Sequence, residues 1–183
     1  MATTQLDESR RTAALALWRY GPDYLKAAQT LCESHSIACT ESQAPFLLAA
    51  QGIEFALKSF LRTRGVTPEE LNARIAHSLT EALREALARD LLAPPEAVVH
   101  AINCIAPHHR NDQFRYFTEG HDGIPKLATL LGAGTWILGQ IAATVVADYF
   151  AFHGDASETS SDDMLRRMRA DLHFTTSKVP ALQ

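Results

Sequence analysis

Cysteine is scarce in this chain of 183 residues. Three are present, Cys32, Cys39 and Cys104. An odd count without CxxC spacing argues against a disulfide framework and against a structural zinc site, and it points to a reducing cytosol. A surplus of positive charge is also missing. Seventeen Lys and Arg stand against 21 Asp and Glu, giving a net charge of -4. No global basic field exists to hold nucleic acid non-specifically, so any such contact needs a local patch. The opening stretch, MATTQLDESRR, lacks the apolar run of a secretory leader. There is no P-loop, no Gly-rich dinucleotide fingerprint and no Ser-His-Asp order. Internal repeats and low-complexity tracts are absent as well. No cofactor is expected.

Long uncharged runs are rare, with one exception. Leu127 to Ala147 carries no formal charge. A membrane span needs about 20 such residues. Here three glycines, three threonines and a glutamine weaken the run, and no Lys/Arg cluster flanks it. It reads as the buried helix of a soluble protein, with small residues that admit a close neighbour. The expectation is a cytoplasmic protein without a membrane partner.

What the chain does contain is helical periodicity. DESRRTAALALWRY forms a first helix, which Gly21-Pro22 breaks or kinks before a second begins at Pro22. In APFLLAAQGIEFALKSFLRTRG, Phe46, Leu47, Ala50, Ile53, Leu57, Phe60 and Leu61 recur at three-to-four spacing, and Gly65 ends the helix. Thr67 caps the next start, with Pro68 behind it. HSLTEALREALARDLL and APPEAVVHAINCIA are two further helices. The segment from His108 to Gly123 has no periodicity and reads mostly as loop. A long helix from about Pro125 to Phe152 follows, then a linker, then a basic amphipathic helix capped by Ser160 or Ser161. The expected fold is all-α, an antiparallel helical bundle with a long central C-terminal helix. It forms one domain over residues 1–183, with a core over 22–152, a linker near 154–160, a helix over 161–173 and a mobile tail.

Three features, in this order, resemble the HEPN family of helical nucleotide-binding domains. GIEFALKSFLRTRG is similar to its Glu-x-x-x-Lys helix, here Glu54 and Lys58, closed by Gly65. IAHSLTEALREA is similar to its His-x-Leu helix start, here His77 and Leu79. FRYF is similar to an Arg-Tyr pair, here Arg115 and Tyr116. The resemblance covers roughly residues 45–120. It implies a bundle that usually dimerises, and that either binds RNA, nucleotide or a protein partner or cuts RNA without a metal. Such proteins often serve as toxins or in phage defence, with a cognate antitoxin as partner. The cutting members use an Arg followed by a His four to six residues later.

Arg115 and His121 match that count. The His would move a proton and the Arg would stabilise phosphate charge. Two departures weaken the match: Tyr116 follows Arg115 where a polar residue is usual, and Gly120 precedes His121. The leading expectation is therefore a homodimeric RNA- or nucleotide-binding or partner-binding module. The alternatives are a metal-independent endoribonuclease using Arg115 and His121, and a purely structural protein-binding bundle. Candidate ligand-binding residues are Glu54, Lys58, His77, His108, His109, Arg110 and Tyr116. Glu54 and Lys58 have i, i+4 spacing in the favoured order, which suits an ion pair. His77 suits a helix cap or a bond within the bundle. His108, His109, Arg110 and Arg115 make a local basic patch carrying Phe114, Tyr116 and Phe117, able to hold phosphate and stack a base. His100, His108 and His109 lack ligand spacing, so no metal is assigned to them.

Overall fold

The computed structural model describes residues 2–34, 42–110, 123–153 and 160–176. The described part is an all-α helical bundle, with no strand among these residues. In chain order the helices are α1 (Ala2–Ser34), α2 (Ala44–Thr63), α3 (Pro68–Glu70), α4 (Leu79–Leu87), α5 (Glu96–Arg110), α6 (Leu127–His153) and α7 (Ser161–Thr176). A π-helical turn, Leu71–Ile75, continues α3. The expected tail and most of the expected linker lie outside the described residues.

Helices α1 and α2 lie along each other, and α6 packs on both while also meeting α5 and α7. The apolar stripe of α2 supplies Ile53, Leu57, Phe60 and Leu61 to the core, and α6 adds Leu130, Ile137, Leu138 and Ile141. Both α2 and α6 are long and apolar enough to cross a membrane by length and composition, and in this fold most of each is buried against other helices.

Two helix boundaries depart from expectation. Gly21-Pro22 does not divide α1, which runs through Pro22. Proline removes one intrahelical donor but does not forbid a helix when packing holds both sides. Here Trp18 on one side is buried and donates Nε1 to the Leu138 carbonyl at 3.2 Å, and Leu25 on the other side is fully buried. Gly21 itself sits against Leu138. Likewise α5 does not stop before His108. It continues through Pro107 to Arg110, so His108, His109 and Arg110 are helical rather than loop.

The capping signals are met. Gly65 takes a left-handed φ of 80°, and the Gly65 and Val66 amides donate to the Arg62 and Leu61 carbonyls, both at 3.1 Å. Thr67 and Glu70 form a reciprocal capping box. Ser160 caps α7 through the Asp163 amide. The cysteine expectation is corrected: Cys32 is disulfide-bonded. Among the described residues Cys104 is free, and Cys39 lies outside them. An odd total excludes complete pairing, not a single pair.

Candidate functional site

Glu54 lies in the middle of α2 on its buried side, between Ile53 and the Ala56-Leu57 pair. A carboxylate there has lost its water and must find compensation within the protein. It finds three donors. Lys58, one turn along α2 and 12% exposed, donates Nζ to Oε1 at 2.5 Å. His109 Nε2, from the end of α5, donates to Oε2 at 2.5 Å. His77 Nδ1, from the turn ahead of α4, donates to the same oxygen at 3.2 Å. Burial pushes the Glu54 carboxyl up, but the hydrogen bonds from His109 and Lys58, with the charges behind them, outweigh it and hold the value at about 2. Glu54 is thus ionised across the physiological range.

The two histidines reach this carboxylate by different routes. Val98, Ala101, Ile102, Ile105 and His109 fall on one stripe of α5, so the packing that buries the isoleucines also delivers the imidazole. His109 is itself buried, and its Nδ1 has no partner among the described residues. His77 stands beside Ala76, a non-glycine residue at φ 46°. Such a conformation costs on the order of 1–3 kcal/mol and persists only where its neighbours fix it. Here the His77–Glu54 bond lies on one side and the Ser78 cap of α4 on the other. The His77 side chain is 59% exposed, so it links the buried carboxylate to the surface. The two imidazole rings meet edge to face at 6.1 Å. Glu54 Oε2, His77 Nδ1 and His109 Nε2 all lie within 4.8 Å of one another.

Next to this cluster is a cavity of about 360 Å³ lined by Ser78, Thr80, Asn103, Ala106, Pro107 and Arg110. The Ser78 and Thr80 hydroxyls are 3.2 Å apart at the start of α4, and Arg110 is exposed on the last turn of α5. Hydroxyls, an amide and a guanidinium line the cavity, and among the described residues no carboxylate does. This donor set suits an anion.

Of the residues singled out from sequence, Glu54, Lys58, His77 and His109 therefore come together. Arg110 lines the adjoining cavity, which shares Ser78 with the turn that carries His77. His108 is on the same helical turn as both. Arg115, Tyr116 and His121 lie outside the described residues. Ser78, Thr80 and Asn103 were missed as lining residues. The helical register of α5, carried past Pro107, would have found Asn103 and would have placed His109 on the buried stripe. His77 does not cap α4, since Ser78 does. A second polar cluster joins Glu85 to Arg74 at 3.2 Å and to Arg89 at 2.8 Å. It fastens the π-helical turn to α4.

No protein-family model matches this chain, and no curated protein or solved structure matches it.

Proposed function

We propose that this chain is a divergent, dimeric HEPN-like bundle that binds RNA or nucleotide through phosphate in the cavity between α4 and α5. The observation that carries this reading is the position of Arg110. Its guanidinium lines the cavity with Ser78, Thr80 and Asn103, and among the described residues no carboxylate lines it. The ordered likeness of Glu54, Lys58, His77 and Leu79 to the HEPN pattern supports it, because the first three of these meet in space beside that cavity. Lys58 and both histidines are engaged with Glu54, so the cluster fixes the turn before α4 and leaves Arg110 to meet the ligand.

Titration of the purified protein with a fluorescent single-stranded RNA and with a fluorescent nucleoside triphosphate tests this. Saturable binding that weakens with added salt is expected. Arg110→Ala should weaken it by about tenfold, as loss of a charge-assisted contact does. Absence of saturable binding to either probe at low salt, or equal affinity in wild type and Arg110→Ala, would overturn the reading.

A further inference from the structure

We infer that Glu54, His77 and His109 form a binding site for one divalent first-row transition ion of the zinc type. The site stands on its own geometry and does not depend on the anion-binding reading. Two imidazole nitrogens and one carboxylate oxygen, from α2, the turn before α4 and the end of α5, converge within 4.8 Å. Zinc holds such donors at about 2.0–2.2 Å, which places neighbouring ligand atoms roughly 3.4 Å apart in a tetrahedron. The present separations from Glu54 Oε2 are 2.5 Å to His109 and 3.2 Å to His77; the His77 contact is near the tetrahedral spacing already, and the His109 contact has to open by about 1 Å to admit an ion. Three protein ligands with a fourth position left to water is the arrangement of an open zinc site.

The surroundings fit the chemistry. Glu54 is 2% exposed and has no apolar alternative to its present partners, so a cation replaces one form of compensation with another. Lys58 holds Oε1 and leaves Oε2 directed toward the histidines. For a metal to bind, each neutral imidazole moves its proton from the ligating nitrogen to the other ring nitrogen, with no net proton released. A histidine that begins as imidazolium releases one. In His109 the transferred proton goes to Nδ1, which has no partner among the described residues, so there one buried acceptor becomes one buried donor. His77 carries the transferred proton on its exposed ring and gives the ion a route from solvent. Lys58 is the permanent positive charge that touches the carboxylate and opposes the ion. It lowers the affinity without blocking the ligating oxygen.

The test is titration of chelator-treated, tag-free protein with cobalt(II), read by its visible ligand-field bands, and with zinc(II), read by calorimetry. One equivalent should bind, with a cobalt spectrum of low-coordinate, nitrogen- and oxygen-ligated type. His77→Ala, an exposed substitution whose fold circular dichroism checks, should weaken zinc binding by about a hundredfold or more, at or beyond the upper end of what loss of a supporting group costs. Lys58→Met should tighten it, whereas a merely structural role for the cluster predicts no effect on metal at all. His100 Nε2 and Cys104 Sγ, 3.5 Å apart on α5, are the competing surface pair, so His100→Ala should leave the titration unchanged. No saturable uptake, or uptake lost in His100→Ala and kept in His77→Ala, would overturn the assignment.

Discussion

His109 donates its Nε2 proton to Glu54 Oε2 at 2.5 Å across a sequence separation of 55 residues, and both groups are buried. This bond ties the end of α5 to the middle of α2. Glu54 holds the two helices together by charge as well as by packing, and that makes the bundle sensitive to acid. A carboxyl held at about 2 against its ordinary 4.5 stabilises the fold by about 3 kcal/mol when ionised. Because the folded value lies below the unfolded one, this stabilisation is complete above 4.5 and drains away as pH falls toward 2. Urea midpoints measured from about pH 6 to about pH 3 should fall steeply in wild type. Glu54→Gln should start lower at neutral pH, by about 3 kcal/mol or more, because Lys58 then sits largely buried without its counter-charge. Its slope through the acid range should be shallower. Parallel slopes in the two proteins would remove the ionised carboxylate from the account.

The two histidines share one oxygen but not one environment. His109 is 4% exposed on its side chain and His77 is 59% exposed. Replacing His109 by Ala opens a cavity and strips a buried carboxylate of a donor, which should cost about 2–4 kcal/mol in chemical unfolding. Replacing His77 by Ala removes a contact that water can replace, and it should cost under about 1 kcal/mol. Equal costs would mean that the turn before α4 contributes to stability through His77 as much as α5 does through His109.

The fold was legible because the dominant forces repeat along the chain. The stripe of α2, the uncharged run Leu127–Ala147 of α6 and the capping residues Gly65, Thr67 and Ser160 each carry a local signal that packing then reinforces. Gly21-Pro22 reads as a break in α1, and His108 onward reads as loop for want of periodicity; α1 and α5 run on past Pro22 and Pro107 for a common reason. A proline removes one donor, a cost that is fixed locally, while the gain from continuing the helix comes from partners distant in sequence, Leu138 for the residues around Pro22 and Glu54 for His109. The site was legible only in part. Glu54, Lys58 and His77 stood out by spacing. Their meeting with His109 depends on α5 continuing past Pro107, and Ser78, Thr80 and Asn103 carry no chemistry on their own to mark them.

Gly52 lies at a close approach of α1 to α2. A Cβ placed there would lie 2.9 Å from Leu25 Cδ2 and 3.1 Å from the Gly21 carbonyl oxygen. Leu25 is fully buried, and the second obstacle is backbone, so neither side yields freely. Gly52→Ala should therefore destabilise by about 1–3 kcal/mol despite the better helix propensity of Ala. A thermal midpoint unchanged or raised would show that α1 can move away from α2 at no cost.

Gly65 tests a different cause with the same substitution. Among the described residues nothing lies within 4 Å of a Cβ built on it, so its backbone conformation is the feature under test. Its φ of 80° places it in the region that β-carbons disfavour. Its amide and that of Val66 close the end of α2 on the Arg62 and Leu61 carbonyls. Gly65→Ala should cost about 1 kcal/mol, the ordinary penalty for an L-residue in a left-handed helix end. Asn tolerates that conformation better, so Gly65→Asn should recover part of the loss. The order Gly, then Asn, then Ala in urea midpoint is the expected result. An Ala variant as stable as wild type would show that the chain leaves α2 by another turn, and with it that the capping box at Thr67 need not begin where it does.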